Sequence, residues 1–360
     1  MFERILLTTD FSPHSLALLE LTLGIARTFG SRVLLLHVDE EEQLFPLQGS
    51  AGLIHFLEEV QLRREAAFAR LVERIARAGI PVSCLRAKGY ASEQILACAD
   101  RERADLIAIS MVGVERLKQA LVGSTAKKVL RHARCPVLVT SPFCRPADLR
   151  LPLLAEGEEP DGEPLSAPEP GLLEAEALAA GRPEGEPAAE TCRQPAQEPV
   201  QPSSWPTIRR VLAPLSLDSH PPAATRFAAQ VADSLDATLE LLYVLKVPTL
   251  IPSLPGEPPL SFPADSLAQY QGEAWFRLAE LASGLSRRQV EWSVTLGSDE
   301  AEAITEYARQ SKADLLILPR KSGRPIGEFL FGRVSSAVAK IAPAPLLLYV
   351  PGPDAADGGK

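Results

Sequence analysis

At 360 residues the chain exceeds one ordinary core, and a prior of about 150 residues per domain points to two. Its composition, 46% hydrophobic and 23% charged with a net charge of -9, is that of a soluble protein. No apolar run of about 18 residues is present to span a bilayer, and "MFERILLTTDFS" lacks the basic flank and cleavage site of a signal peptide, so a cytoplasmic protein without a membrane partner is expected.

In chain order, the first copy of a repeating pattern opens with the apolar run at 4–9, followed by a helical segment at 13–29. Ser12 is placed to cap that helix, Pro13 to occupy its first position and Gly30 to end it. Further strands fall near 32–38, 81–87, 104–110 and 136–140, and further helices near 52–79, 91–102 and 124–133. In the last of these, Ala126, Val129, Leu130 and Ala133 form a stripe at helical spacing. Short Val/Leu/Ile runs are what strands buried on both faces look like, and their alternation with helices implies βαβ crossovers and a parallel sheet.

Residues 142–205 form a different kind of segment. Between 155 and 200 stand twelve acids against only Arg182 and Arg193, which accounts for the net charge and leaves the remainder nearly neutral. Nothing there marks a nucleic-acid surface. The segment is rich in Pro, Gly and Ala and cannot bury enough apolar surface to offset its chain entropy, so it reads as a disordered linker.

The pattern then returns. "RILLTTDFS" at 4–12 matches "RVLAPLSLD" at 210–218, and "RVLLLHV" matches "LELLYV" at 239–244, both offset by 206. "ADLIAIS" at 104–110 matches "ADLLILP" at 313–319, and "CPVLV" matches "APLLL" at 344–348, both offset by 209. So small a drift over four runs identifies two copies of one domain. The expected organisation is a domain over 1–141, the linker, a second domain over 206–352 and a tail over 353–360. Each domain is an α/β, doubly wound, five-stranded parallel sheet. The apolar fifth strands, "CPVLVT" and "APLLLYV", are sheet edges ready to pair, so the two domains are expected to join edge to edge.

Open parallel sheets bind ligands beyond the carboxyl ends of their strands. Two loops of the first copy arrive there: "TTDFS" after the first strand and "SMVGVERLKQALVGST" after the fourth. Gly113 and Gly123 let backbone approach a ligand closely, and Ser124 heads a helix whose free amides and dipole attract an anion. Plainer readings stand beside these: the glycines shape a loop, Ser124 caps a helix, Asp10 makes an Asx-turn, and Lys127 and Lys128 are solvated.

The arrangement Ser110-x2-Gly113-x9-Gly123-Ser124, with Asp10 after the first strand and the ending "RHARCPVLV", resembles the universal stress protein family in its tandem form. Nucleotide-binding members of that family carry G-x2-G-x9-G-[ST] and an Asp after the first strand. The resemblance implies a Rossmann-like fold and a stress-response regulator binding ATP or a related adenine nucleotide, with Mg²⁺ bridging the phosphates. Thr9 and Asp10 would meet the adenosine end and Val38 would line the adenine pocket. Gly113, Gly123, Ser124 and Thr125 would hold the phosphates, and Ser110 would stand near the ribose. Ser110 departs from the family's Gly.

In the second copy Ser216 replaces Asp10, Pro319 and Ser322 stand at Ser110 and Gly113, and Gly332 is followed by Arg333, so weak or no binding is expected there. The proline-rich stretch at 246–263 reads as a lid, as a docking surface for a protein partner or as a rigid loop. No Walker A, G-x-G-x-x-G, G-x-S-x-G or metal-ligand cluster is present, and efficient catalysis is not expected. The alternatives are a slow ATPase or nucleotide-transferring enzyme, and a nucleotide-free interaction scaffold. The five cysteines include no C-x-x-C pair and read as free thiols.

Overall fold

The computed structural model describes residues 1–40, 51–111, 123–141, 143–144, 207–216, 221–246, 264–285, 289–320 and 333–349. Gly113, nearly all of the expected linker, the proline-rich stretch and the C-terminal tail lie outside them. Cys144, assigned above to the start of the linker, is buried, and its amide donates to the Ser141 carbonyl at 3.2 Å. The packed part of the first copy therefore runs past residue 141.

The first copy runs β1 (Arg4–Thr8), α1 (Pro13–Phe29), β2 (Arg32–Asp39), α2 (Ala51–Arg77), β3 (Val82–Lys88), α3 (Ala91–Arg101), β4 (Leu106–Ser110), α4 (Ser124–His132) and β5 (Val137–Thr140). The second copy continues with β6 (Arg210–Leu215), α5 (Pro221–Ser234), β7 (Thr238–Lys246), α6 (Ala264–Ser283), β8 (Val290–Gly297), α7 (Glu300–Gln310), β9 (Leu315–Pro319), α8 (Arg333–Ile341) and β10 (Leu346–Tyr349). The α/β alternation expected from the sequence is present in both copies.

All ten strands form one sheet in the order β3-β2-β1-β4-β5-β10-β9-β6-β7-β8. Within each copy the pairings are parallel. The copies join where β10 runs antiparallel to β5, with Leu346 opposite Val139, Leu347 opposite Leu138 and Leu348 opposite Val137. The two most apolar edges thus cover each other, and the remaining edges are β3 and β8.

Strand side chains alternate between faces, and both faces are covered. Ile5, Leu7, Val33, Leu35, Leu138 and Leu347 belong to one core with α1, α2, α5 and α6. Leu6, Leu34, Leu36, Val137, Val139, Leu346 and Leu348 belong to the other, with α3, α4, α7 and α8. Both cores contain residues of both copies, so the seam is interior rather than a surface contact.

Local chemistry sets the element ends. Ser12 caps α1 by accepting the Ser15 amide, Pro13 begins the helix, and Gly30 ends it at φ 63°. At the position equivalent to Gly30 the second copy uses Asp236 at φ 50°, and Arg103 and Lys312 repeat each other at 53° and 54°. Asp105 accepts the amides of Glu3 and Arg4 at 2.7 and 3.1 Å, and Asp314 accepts those of Arg209 and Arg210 at 2.8 and 2.9 Å. The repeat is therefore one of backbone geometry as well as of hydrophobic pattern.

Two outcomes follow from this packing. Replacing Val137 and Leu347 together by Lys places two ammonium groups in the seam, at a cost of several kcal/mol each if buried unpaired. The variant should melt at lower temperature and show a larger radius of gyration by small-angle scattering; an unchanged radius would refute the role given to β5 and β10. Separately, burial at the α4–β5 turn pushes the Cys135 thiol up to about 11. A raised acid pKa gives a stabilising share that is full below the unfolded thiol value of about 8.5 and is lost as pH rises through the folded one. Cys135→Ala should flatten the fall in stability over that alkaline window relative to wild type, measured by denaturant melts.

Candidate functional site

The site lies at the carboxyl ends of β1, β2 and β4. The chain leaves β1 through Thr9, which is buried and whose amide donates to the Leu36 carbonyl at 3.0 Å. The Thr8 hydroxyl donates to the Ala108 carbonyl at 3.1 Å, tying the end of β1 to β4. Phe11 then turns the chain at φ 61°, a left-handed conformation that costs a non-glycine residue about 1 kcal/mol. Two contacts offset this: the Phe11 amide donates to Thr9 Oγ1 at 3.1 Å, and its ring packs on His37 with centroids 4.5 Å apart.

Asp10 is exposed. Its Oδ1 accepts both the Ser12 amide at 3.0 Å and the Ser12 hydroxyl at 2.6 Å. The Asx-turn reading of Asp10 is thus realised, and it does not conflict with a ligand role, since both bonds of the turn fall on Oδ1. The same Ser12 hydroxyl accepts from the Ser15 amide at 3.2 Å as the cap of α1. Asp10, Ser12 and α1 form one hydrogen-bonded unit.

His37 is the residue that the sequence reading missed. It is 8% exposed. Its Nδ1 lies 2.9 Å from the Thr9 carbonyl, and its Nε2 lies 3.2 Å from Asp39 Oδ1. The ring holds the β1 loop against β2, one residue before half-buried Val38. The signal available in the sequence was a histidine inside an otherwise apolar strand, directly before Val38.

On the other side, β4 ends at half-buried Ser110, and the Met111 amide donates to the Thr140 carbonyl at 3.3 Å. The chain reappears at Gly123, whose amide donates to the Met111 carbonyl at 2.8 Å. This bond returns the chain to the end of β4 and begins α4 there. Gly123, not Ser124, is the N-cap, with no side-chain capping bond, so the reading of Ser124 as a cap is corrected. Ser124 is exposed and Thr125 half-buried in the first turn. The helical ladder opens with the Lys127 amide donating to the Gly123 carbonyl at 3.1 Å, so the amides of 124–126 precede it and point out of the helix start. Lys127 is half-buried and Lys128 exposed.

Gly123 has φ -60°, which any residue adopts, and a Cβ there would meet the Met111 carbonyl oxygen at 3.5 Å, an ordinary contact. Among the described residues nothing excludes a side chain at Gly123.

Thr9, Asp10, Val38, Ser110, Gly123, Ser124 and Thr125 are thus brought to one end of the sheet by β1, β2, β4 and α4. In the second copy the corresponding end carries exposed Ser216 after β6, half-buried Pro319 at the end of β9 and exposed Arg333 at the start of α8. Among the described residues no group of three or more His, Cys, Asp or Glu side chains is arranged to hold a metal, and no described helix is long and apolar enough to cross a membrane.

The sequence profile of the Universal stress protein family matches residues 1–141 and 207–350. A universal stress protein of Thermus aquaticus is 33% identical over 140 residues, spanning 39% of this chain and 98% of that protein. In three dimensions the chain is similar to a universal stress protein of Archaeoglobus fulgidus, with TM-score 0.56 and 17% identity over 97% of this chain and 98% of that one. A universal stress protein solved in complex with cAMP aligns over 39% of this chain and 98% of its own, with TM-score 0.30 and 20% identity. With matches to both halves, and strand order and crossovers that repeat between them, the chain belongs to the universal stress protein family, as a tandem member.

Proposed function

We propose that the first copy binds ATP or a related adenine nucleotide and that the chain is a cytoplasmic stress-response regulator, not an efficient enzyme. The observation that carries this reading is the Gly123–Met111 hydrogen bond, which sets the N-terminus of α4 beside the end of β4, next to the β1 loop. Backbone amides and the positive end of a helix dipole there suit a phosphate chain. Ser124 and Thr125 add hydroxyl donors, and the absence of a side chain at Gly123 leaves room for the ligand. Val38 supplies an apolar wall for the base. Asp10 and Thr9 supply polar groups for the sugar, with Ser110 beside them.

The donor set suits a nucleotide carrying its own Mg²⁺ between phosphate oxygens more than a resident metal. Binding rather than efficient turnover is part of the proposal, in which Asp10, whose Oδ1 accepts the Ser12 amide and hydroxyl, is read as a binding group. The second copy, with Ser216 and Arg333 at the equivalent places, is assigned no nucleotide.

Calorimetric titration of the full chain with ATP should give one site per chain. Gly123→Val should weaken binding by at least about tenfold through a clash worth more than about 1.4 kcal/mol, with little change in melting temperature. Gly332→Val should leave the titration unchanged. Equal loss in both variants, or two sites in the wild type, would overturn the assignment to the first copy. Turnover above a few ATP per minute, abolished by Asp10→Ala, would instead establish an enzyme. Ser12→Ala removes both a helix cap and a partner of Asp10. It should cost about 1 kcal/mol of stability and also weaken nucleotide binding, measured by melts and by the same titration.

A further inference from the structure

Arg320 stands one residue beyond β9, where the first copy has Met111 one residue beyond β4. The backbone duty is the same in both: the Arg320 amide donates to the Tyr349 carbonyl at 2.7 Å, as that of Met111 donates to Thr140. The side chains diverge. Met111 is an apolar side chain buried in the core that includes α3 and α4. Arg320, only 3% exposed, crosses the seam, and its two terminal nitrogens donate to the carbonyls of Leu130 and Ala133 at the C-terminal end of α4.

Burying a guanidinium is costly, and burial lowers the pKa of Arg320. Among the described residues no carboxylate lies within 4.0 Å of it, so what holds the charge is the negative end of the α4 dipole and two orphan carbonyls. Its Nε has no hydrogen-bond partner among the described residues.

The reciprocal contact is weaker in kind. Ser141 of the first copy donates its hydroxyl to the Ala342 carbonyl just beyond α8. Each copy therefore covers the end of the other's last helix, with one neutral hydroxyl bond on α8 and a two-pronged cationic clamp on α4. The stronger clamp falls on the helix whose other end faces the candidate phosphate site.

We propose that Arg320 is a positioning residue through which the second copy holds the first copy's phosphate-binding helix. The inference rests on the nucleotide reading given above. Nine residues of helix span about 13 Å and move as a unit, so fixing the carbonyl end limits where the amides of 124–126 can stand. A copy that has lost its own site then acts as a built-in holding subunit, and linkage requires phosphate binding to tighten the seam in return.

The test uses the full chain as wild type, Arg320→Met, Arg320→Lys and Ser141→Ala, titrated with ATP and with adenosine. Arg320→Met should lose about fivefold or more in ATP affinity, within the usual range of site coupling, while adenosine affinity changes by less than about twofold. Arg320→Lys, which keeps the charge but not the fork, should fall between Met and wild type and remains informative if the Met variant does not fold. Ser141→Ala should lower the melting temperature and leave the ATP-to-adenosine ratio unaltered. Hydrogen exchange of the ligand-free proteins should be faster across 127–133 in the Arg320 variants. An unchanged affinity ratio together with unchanged exchange would overturn the clamp. If wild type binds no ATP, the nucleotide reading fails, and the exchange data alone decide whether Arg320 fixes α4.

Discussion

The antiparallel contact between β5 and β10 is the constraint on which the rest of the molecule depends. A five-stranded parallel sheet leaves its fifth strand with one row of unpaired amides and carbonyls and with apolar side chains on both faces. Here each copy supplies the other's missing neighbour, so Leu138 and Leu347 become interior to one helical layer and Val137 and Leu348 to the other. The pairing also brings the ends of α4 and α8 under side chains of the opposite copy. Without the seam, the last helix of each copy would have to satisfy its terminal carbonyls with water or with its own side chains.

Locked together in this way, the two copies share one backbone framework and differ in side-chain chemistry. Asp105 and Asp314 hold the first strands in the same way, and the left-handed residues recur at equivalent places. Side-chain chemistry has drifted instead. Glu240, buried at the position of apolar Leu34, accepts from the Tyr307 hydroxyl and from Arg210 at 3.1 Å, and Ser293 lies 3.3 Å from it. Burying a carboxylate is tolerable because each of these neighbours is a donor. The first copy has no need of such a network, since Leu34, Leu85 and Cys98 fill the same places as ordinary core.

The fold was largely legible in the sequence because strands buried on both faces announce themselves as continuous apolar runs, and because two copies make every run appear twice. Helix ends were legible where a specific residue was needed, as at Ser12, Pro13 and Gly30. The site was less so. Asp10 in a sequence looks alike whether it binds a sugar or closes an Asx-turn, and here the turn is made. Gly123 suggests unusual backbone, yet its φ is ordinary. His37 was hidden because its partners, the Thr9 carbonyl and Asp39, are a backbone atom and a neighbour two residues away, neither of which leaves a motif.

Arg320 shows the limit most plainly. In the sequence it is one basic residue after a strand, at a position where a degenerate binding loop would excuse any side chain. Its meaning depends on the seam: only when β10 lies against β5 does the end of β9 face the carbonyl end of α4 in the other copy. A contact between residues 187 and 190 positions apart cannot be read from periodicity, since each partner is locally unremarkable and its donors and acceptors are backbone atoms on one side. What the sequence does carry is the asymmetry itself, methionine in one copy and arginine in the other. Here that departure from the repeat stands where the second copy meets the first copy's last helix.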